Sequence, residues 1–487
     1  MTAVLPMLTL FRFWPLLASL CGLFSPNSSA LPSPTGAASQ GTDQQPIELA
    51  ARYQDVYVTY EELDELLLAR HAESKLGRDT RLFMLKLRVV EDLAIELGVS
   101  TDAAEIQKMI DEVEKGVQAS GSARDIEEFL RLQGVSRAEF LKSLRLAVLQ
   151  TKLARLGLGI PPGDPVTGEQ QEMWLDSKIA ERGLEEFPAP WSDNIVLRNG
   201  NVTLTRDEFL PFLRKRLADT QLVDLMDGIL RVKRMRARMP DLDPDVFTRA
   251  VDSEIENRRR EVAKDPKYKG LGYEQLLASQ GILFDSWRQD PNVVKAALAR
   301  LWVQRSHDEE SLRGVYENER SYFDSEYGEA LEAYVLFLRA AEFPNQLIRR
   351  DHSKAELELL EIAQTLHSRE EFFQAVSSHS EDRASRERKG YLGWVTRTGS
   401  SGPSAARGAL FGALDGGTLK PTDPADSLTR MVGPVRTETG VLLLWAGDRR
   451  PKPSWTAMML HVHKTLRQRF IDEAVDEAQV ITYLQPE

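Results

Sequence analysis

Short segments of this chain recur at a nearly constant distance along the sequence. Residues 204–209 repeat the pattern of residues 58–63 at an offset of 146, and residues 273–281 repeat that of residues 126–134 at an offset of 147. Self-similarity at a fixed offset is typical of a duplicated structural unit. Chance similarity between amphipathic helices is the alternative, and the sequence alone leaves it open.

The repeated segments lie in regions whose apolar residues follow a helical period. In residues 81–97 the apolar residues recur every three or four positions, as on one face of a helix. Residues 157–165 break the first region, and a proline-containing linker precedes the second. The sequence therefore predicts one helical unit at residues 51–160 and a second at residues 191–327.

The first thirty residues have the composition of an export signal. Arg12 precedes an apolar run at residues 13–24, and small residues follow at 28–30. A run of about a dozen apolar residues is too short to cross a membrane. We expect a signal peptide at residues 1–30, a periplasmic or otherwise exported protein, and no integral membrane segment after signal cleavage.

Cys21 is the only cysteine of the chain. Leu20 precedes it at a position where a lipoprotein site needs a small residue, so the sequence argues against anchoring through Cys21. Cleavage after Ala30 would leave a mature chain without disulfides or thiol chemistry. Residues 31–50 are rich in Pro, Ser, Gly and Gln, which predicts a flexible linker.

Charge and histidine placement argue against two kinds of site. Binding of nucleic acid through its phosphates needs a basic surface, whereas the net charge here is -12. His461 and His463 lie about 200° apart on a helix, so they do not converge on a metal ion. We predict no nucleic-acid partner, no metal site and no cofactor.

The periodicity changes at Leu331. Residues 331–339 form an apolar run typical of a buried strand. Two helical segments, a strand, a third helix and two more strands follow, and this β-α-α-β-α-β-β order predicts a compact α+β unit. The expected fold is mainly α with a C-terminal α+β domain at residues 328–452, followed by a C-terminal helix at residues 453–487.

One stretch of this domain has a distinctive order of residues. Asp382 lies eight residues before Gly390, which begins the run Gly-Tyr-Leu-Gly-Trp, and Gly440 follows the Gly-Pro-Val-Arg-Thr of residues 433–437. This order resembles parvulin-type peptidyl-prolyl isomerases over about residues 328–452. The resemblance implies a domain that acts on polypeptide chains.

The helical regions have a resemblance of their own. Residues 56–158, and more weakly residues 194–327, are similar to the N-terminal helical region of SurA-type periplasmic chaperones and PpiC-type isomerases. The resemblance implies a helical chaperone body, duplicated if the internal repeat holds, whose apolar grooves hold extended segments of unfolded proteins.

The parvulin resemblance also implies where catalysis would take place. The family has two facing histidines on its first and last strands, and at these positions this chain has Tyr334 and Leu442. Arg383 takes the position of the usual Cys or Asp near the substrate. Tyr334 and Arg383 are therefore the candidate catalytic residues, although the leucine cannot donate a hydrogen bond.

The pocket for the proline ring is altered as well. Leu392 is retained, but the aromatic residue expected five positions before Phe411 is Ala406. Leu392 and Phe411 are the candidate substrate-binding residues. Isomerisation needs no nucleophile or metal; it needs an apolar pocket and a polar network that favours the twisted amide.

Three functions remain open at this point. The first is an exported folding factor that binds unfolded or proline-containing polypeptide clients, with isomerase activity lost. The second is an active peptidyl-prolyl isomerase with an altered site around Tyr334, Arg383, Leu392 and Phe411. The third is a structural envelope protein without clients. The resemblance favours the first.

Overall fold

The computed structural model describes residues 48–133, 135–268, 270–344, 348, 350–399 and 403–484 of the 487-residue chain. The predicted signal peptide, Cys21 and most of the predicted linker lie outside the described residues. The chain divides into two compact units. One comprises the described residues up to Leu301 together with those from Phe470 onward, and the other comprises Trp302–Arg469.

The first unit begins with a β-hairpin followed by six helices. The strands are β1 (Leu49–Tyr53) and β2 (Val56–Thr59). The helices are α1 (Tyr60–His71), α2 (Lys75–Glu96), α3 (Ala103–Ser120), α4 (Ile126–Gln133), α5 (Arg137–Leu158) and α6 (Gly168–Arg182). A capping box starts α1: the Thr59 N–H donates to the Glu62 carboxylate at 3.0 Å, and the Thr59 hydroxyl oxygen accepts from the Glu62 N–H at 3.2 Å.

A second hairpin, with a short strand before it, starts the other half of this unit. The strands are β3 (Leu184–Glu186), β4 (Ile195–Asn199) and β5 (Val202–Thr205). The helices are α7 (Arg206–Lys215), α8 (Asp219–Ala237), α9 (Pro244–Lys264), α10 (Tyr273–Ser279), α11 (Phe284–Trp287) and α12 (Pro291–Ser306). The Glu208 carboxylate accepts from the Thr205 N–H and hydroxyl, at 3.1 and 2.7 Å, so α7 starts much as α1 does.

The two hairpins repeat one another in register. Each paired residue of β1 and β2 has its counterpart in β4 and β5 at an offset of 146; Leu49 pairs with Thr59 as Ile195 pairs with Thr205. The irregularity after this first pair recurs at the same place in both ladders. The sequence repeat at this offset therefore corresponds to a repeat in the structure.

The second unit contains one antiparallel sheet and the helices around it. Its elements begin with α13 (Glu309–Asn318), α14 (Arg320–Tyr327), β6 (Ala330–Arg339), α15 (His352–Thr365), α16 (Arg369–His379) and α17 (Arg383–Arg386). They continue with β7 (Tyr391–Thr396), α18 (Ser404–Asp415), β8 (Met431–Thr437), β9 (Gly440–Arg450) and α19 (Trp455–Asp472). The strand order is β7-β6-β9-β8.

Buried apolar side chains cover both faces of this sheet. Helices α15 and α16 pack on one face, around Phe372 and Trp445, and α18 packs on the other, around Leu410 and Phe411. The predicted fold, mainly α with a C-terminal α+β domain, is confirmed. The element order is also as predicted, with the short helix α17 added between α16 and β7.

The last described strand belongs to the first unit. Strand β10 (Ile481–Thr482) pairs with β1, which gives one sheet of order β10-β1-β2 and a second of order β3-β4-β5. The sequence analysis missed these small sheets, because strands of two to five residues carry little periodicity. It also extended the C-terminal helix beyond Asp472, where the β-branched Val480, Ile481 and Thr482 favour extended backbone.

A helix that crosses a membrane must be both long and apolar. Within the described ranges, no helix is both long and apolar enough to cross a membrane.

Candidate functional site

The candidate site lies on the two central strands of the C-terminal sheet. Strands β6 and β9 are antiparallel neighbours, and Phe337 lies directly opposite Leu442. Because side chains alternate between the faces of a strand, residues 331, 333, 335 and 337 share one face with residues 442, 444 and 446. All seven are apolar, and they belong to the core beneath α18.

The predicted pairing of Tyr334 with Leu442 is wrong. Tyr334 lies opposite Trp445, three residues further along β9, and its side chain packs with the core on the α15–α16 face. Leu442 is buried in the core on the α18 face. The two residues therefore point to opposite sides of the sheet, because a shift of one or three positions along a strand changes the face.

Phe337 is the residue that faces Leu442, and the sequence analysis missed it. The Phe337 N–H donates to the buried Ser380 hydroxyl oxygen at 3.2 Å, and its carbonyl accepts from the Glu381 N–H at 2.8 Å. Its ring lies against Gly440, where a Cβ would approach the ring to 2.6 Å. Alternation along residues 331–339 could have identified Phe337, but only with the register to Leu442 already known.

The apolar face above these strands includes both predicted substrate-binding residues. Phe411 and Ala406 are buried on the side of α18 that packs against the sheet, and Leu392 is half-buried on β7 and packs against the same core. Phe337 and Val435 are also only partly buried. The structure thus brings Leu392 and Phe411 together, and several apolar side chains remain within reach of a ligand.

Tyr334 belongs to a polar and aromatic cluster on the opposite face. Its hydroxyl donates to Glu332 Oε1 at 2.9 Å and accepts from Arg369 at 2.7 Å. The Arg369 guanidinium also lies over the Tyr334 ring, and the Phe373 ring is 4.9 Å from it, centroid to centroid. Burial, together with the hydrogen bond to Glu332, raises the pKa of Tyr334, so the phenol remains a donor at neutral pH.

Arg383 does not reach the apolar face. It opens the short helix α17, its side chain is 83% exposed, and it pairs with Glu387 at 2.9 Å one helical turn later. An exposed pair of this kind contributes little and leaves the guanidinium solvated. Of the predicted site residues, Tyr334 packs on the α15–α16 face, Leu392 and Phe411 lie on the α18 face, and Arg383 pairs with Glu387 in solvent.

The loop before β7 holds the strand against the centre of the sheet. Asp382 caps α17 by accepting from the Ser385 N–H at 3.1 Å, and the Gly390 carbonyl accepts from the Val335 N–H at 2.8 Å. Gly390 has φ = +83°, and a Cβ there would lie 2.5 Å from the Val335 carbonyl oxygen. This position admits only glycine, which explains its place in the motif.

The C-terminal sheet domain is similar to a known family. Residues 339–444 match the family model described as Rotamase, the PPIC-type PPIASE domain. The chain carries a PPIC-type domain. The match covers less than a quarter of the 487 residues, so it concerns this domain and not the helical halves. Among curated proteins, no match to the chain was found.

Solved structures similar to the chain include bacterial foldases and chaperones. A peptidylprolyl isomerase, PrsA, from Bacillus anthracis is 13% identical, with a TM-score of 0.23, and the match covers 52% of this chain and 93% of that one. The foldase protein PrsA from Streptococcus pneumoniae is 14% identical, with a TM-score of 0.22 and coverages of 60% and 96%. A SurA-like chaperone from Campylobacter jejuni is 15% identical, with a TM-score of 0.22 and coverages of 55% and 86%. TM-scores this low support no conclusion about the arrangement of the whole chain.

A metal ion in a protein is held by several converging His, Cys, Asp or Glu side chains. Among the residues that the structure describes, no group of three or more His, Cys, Asp or Glu side chains is placed to hold a metal ion.

Proposed function

We propose that this protein is an exported folding factor that binds extended segments of unfolded secreted or envelope proteins. Its PPIC-type domain binds such segments but does not accelerate prolyl isomerisation. The single observation that carries this proposal is the cross-strand pair Phe337–Leu442 at the centre of the PPIC-type sheet. Neither side chain can donate or accept a hydrogen bond.

The loss of catalysis follows from what the reaction requires. Rotation about a prolyl peptide bond crosses a barrier of about 18–20 kcal/mol, because amide resonance is lost at the twisted geometry. Catalysis requires polar groups that interact more strongly with the twisted amide than with the planar one. From Leu331 to Phe337 on β6, and from Leu442 to Ala446 on β9, the face beneath α18 offers only apolar side chains.

Binding of an extended segment does not require polar groups that stabilise the twisted amide. Apolar side chains that are only partly buried, such as Phe337, Leu392 and Val435, can cover the apolar residues of an extended segment. The edge strands β7 and β8 supply backbone groups for further hydrogen bonds. A site of this kind recognises apolar side chains and backbone groups, which most unfolded chains offer. We therefore expect low sequence selectivity among unfolded clients.

Two assays of the whole protein test this proposal. We expect no acceleration of cis–trans exchange in a protease-coupled prolyl peptide assay, and suppressed aggregation of an unfolded protein at stoichiometric amounts. Leu392→Ala should weaken the suppression, because it removes part of the apolar face. Leu357→Ala is the matched control, because Leu357 is 62% exposed on α15, which covers the opposite face.

Either assay can contradict the proposal. Acceleration that Leu392→Ala abolishes would identify an active isomerase with an altered site. Aggregation that proceeds unchanged at stoichiometric amounts would indicate a structural protein without clients.

A further inference from the structure

The third strand of each small sheet occupies the same place relative to its hairpin. Arg52 lies opposite Ile481 and Arg198 lies opposite Glu185, and these two pairs correspond at the 146-residue offset of the hairpins. The hydrogen bond from the Tyr483 N–H to the Ala50 carbonyl, at 2.9 Å, corresponds to that from Phe187 to Val196, at 3.1 Å. Strands β10 and β3 are therefore equivalent occupants of equivalent edges.

The two occupants are held very differently. Strand β3 lies within the chain between α6 and β4, and the Asn199 side-chain amide fixes its start by donating to the carbonyls of Ile179 and Gly183 at 2.7 and 3.1 Å. Strand β10 comes from the distant chain end and pairs through two residues only. Ile481 and Tyr483 are 53% and 39% exposed, and the residues of β3 are exposed too, so connectivity and not apolar burial distinguishes the two strands.

The chain is anchored before it reaches β10. Arg231 is buried and donates to the carbonyls of Ile471 and Asp472 at 2.9 and 3.1 Å, and it pairs with Glu477 at 2.8 Å. These contacts hold the end of α19 and the residues just after it. Release of β10 would therefore break its short ladder and the hydrogen bond from the Tyr60 hydroxyl to the Tyr483 carbonyl, at 2.6 Å, without detaching the segment that precedes it.

We propose that the outer edge of β1 is a binding site for an extended polypeptide segment, and that β10 covers this edge until such a segment displaces it. The client would pair antiparallel with residues 49–53, as β10 does, through backbone hydrogen bonds. This inference rests on the proposed binding of unfolded polypeptides, and it adds a second binding site, in the first unit.

The geometry favours displacement. Backbone hydrogen bonds contribute about 0.5–1.5 kcal/mol each, so a two-residue strand adds only a small barrier to exchange. A client segment of five residues could pair along the whole of β1, from Leu49 to Tyr53. Truncation of the chain after Gln479 removes β10, which competes with the client for the β1 edge. We therefore expect the truncated protein to bind an extended client segment about tenfold more tightly.

A disulfide that locks β10 in place provides the decisive variant. In a Cys21→Ser background, Arg52→Cys with Ile481→Cys joins two exposed residues that lie directly opposite each other. Opposed Cα atoms in antiparallel strands are about 4.5–5.5 Å apart, within the range that a disulfide spans. The matched control, Glu185→Cys with Arg198→Cys, places the equivalent lock on β3.

Binding is measured with reduced, carboxymethylated α-lactalbumin, a permanently unfolded probe, by fluorescence anisotropy on the full chain. We expect the oxidised β10 lock to lower the affinity by about tenfold, reduction to restore it, and the β3 lock to leave it unchanged. The truncated variant should bind more tightly than the full chain.

The outcomes separate this inference from the proposed function. If the oxidised β10 lock binds the probe and suppresses aggregation as the unmodified chain does, the edge is not a client site and the proposed function stands. If the unmodified chain and the truncated variant both fail to bind the probe, the inference and the proposed function fail together.

Discussion

At the scale of single residues, the face on which a side chain lies decides what it can do. Tyr334 and Phe337 are three positions apart on β6, yet only Phe337 shares a face with Leu442, Leu392 and Phe411. The tyrosine is occupied by Glu332 and Arg369 on the other side of the sheet. Its role in this structure is to join β6 to α16.

Substitution of Tyr334 tests this assignment. Tyr334→Phe removes the hydroxyl that links Glu332 to Arg369, so we expect the free energy of unfolding to fall by about 1 kcal/mol. Binding of unfolded polypeptide should not change, because the residue lies away from the α18 face. Denaturant unfolding and a binding titration measure the two effects.

Phe337→Ala is the contrasting variant on the same strand. It should weaken polypeptide binding, because it removes a partly exposed apolar side chain from the proposed binding face. The assignment would be wrong if Tyr334→Phe weakened binding as much as Phe337→Ala does.

The sequence could identify the residues of this site only in part. Leu392 and Phe411 were found because a motif and a helical segment place them, and the structure brings both to one face. Tyr334 was misplaced because an apolar run such as residues 331–339 fixes neither its register nor the face that each residue takes. Register depends on long-range pairing with β9, which no local pattern encodes.

At the scale of elements, the turn into β7 depends on one glycine. Gly390→Ala should lower the free energy of unfolding by at least about 2 kcal/mol, because the backbone is left-handed and the new Cβ would collide with the Val335 carbonyl. Urea or guanidinium unfolding of the whole protein measures the loss.

Gly408 offers a matched control within the same domain. A Cβ at Gly408 meets no atom within 4 Å, and the residue lies inside α18, where alanine is the better helix former. Gly408→Ala should therefore be neutral or stabilising. Equal losses for the two variants would show that the turn does not require glycine.

The types and order of the long elements could be predicted from the sequence. Helical periodicity and capping residues such as Thr59 identify helices that the structure contains, and the order of elements in the C-terminal domain is as predicted. The short strands β1 to β5 and β10 could not be found, since they are stabilised by pairing with segments as distant as residues 51 and 482.

At the scale of the first unit as a whole, helices α1 and α7 of the two halves lie against each other. Asp64 of α1 is 3.3 Å from Arg214 of α7, and Glu65 pairs with Arg206. Burial raises the pKa of Asp64 to about 6, although Arg214 and Arg206 oppose the rise. The carboxyl between the halves therefore takes up a proton at a pH where an exposed aspartate stays charged.

This pKa predicts a pH dependence of stability. The folded protein binds more protons at Asp64 than the unfolded chain does between pH 4 and about 6, so the contribution of this group to stability falls as the pH rises through that range. Asp64→Asn should remove this decline, so the stability at pH 7 relative to that at pH 4.5 should be higher than in the unmodified protein. Chemical unfolding midpoints at pH 4.5 and pH 7 measure the difference.

Glu61→Gln removes an exposed carboxylate of the same helix that is not among the charges acting on Asp64, and it serves as the control. We expect it to retain the pH dependence of the unmodified protein. A decline in Asp64→Asn as steep as in the unmodified protein would contradict the prediction.

The two halves of the repeat also exchange contacts reciprocally. Arg88 of α2 donates to the Thr203 carbonyl of the second hairpin at 3.0 Å and pairs with Glu208, while Lys233 of α8 donates to the Tyr57 carbonyl of the first at 2.7 Å and pairs with Glu62. Each half thereby contacts the second hairpin strand and the start of the following helix in the other half, as two subunits do across a twofold axis. Unfolding of the long helix in one half would remove contacts that stabilise the other half. The two halves should therefore unfold in a single cooperative transition, as the two subunits of an obligate dimer do.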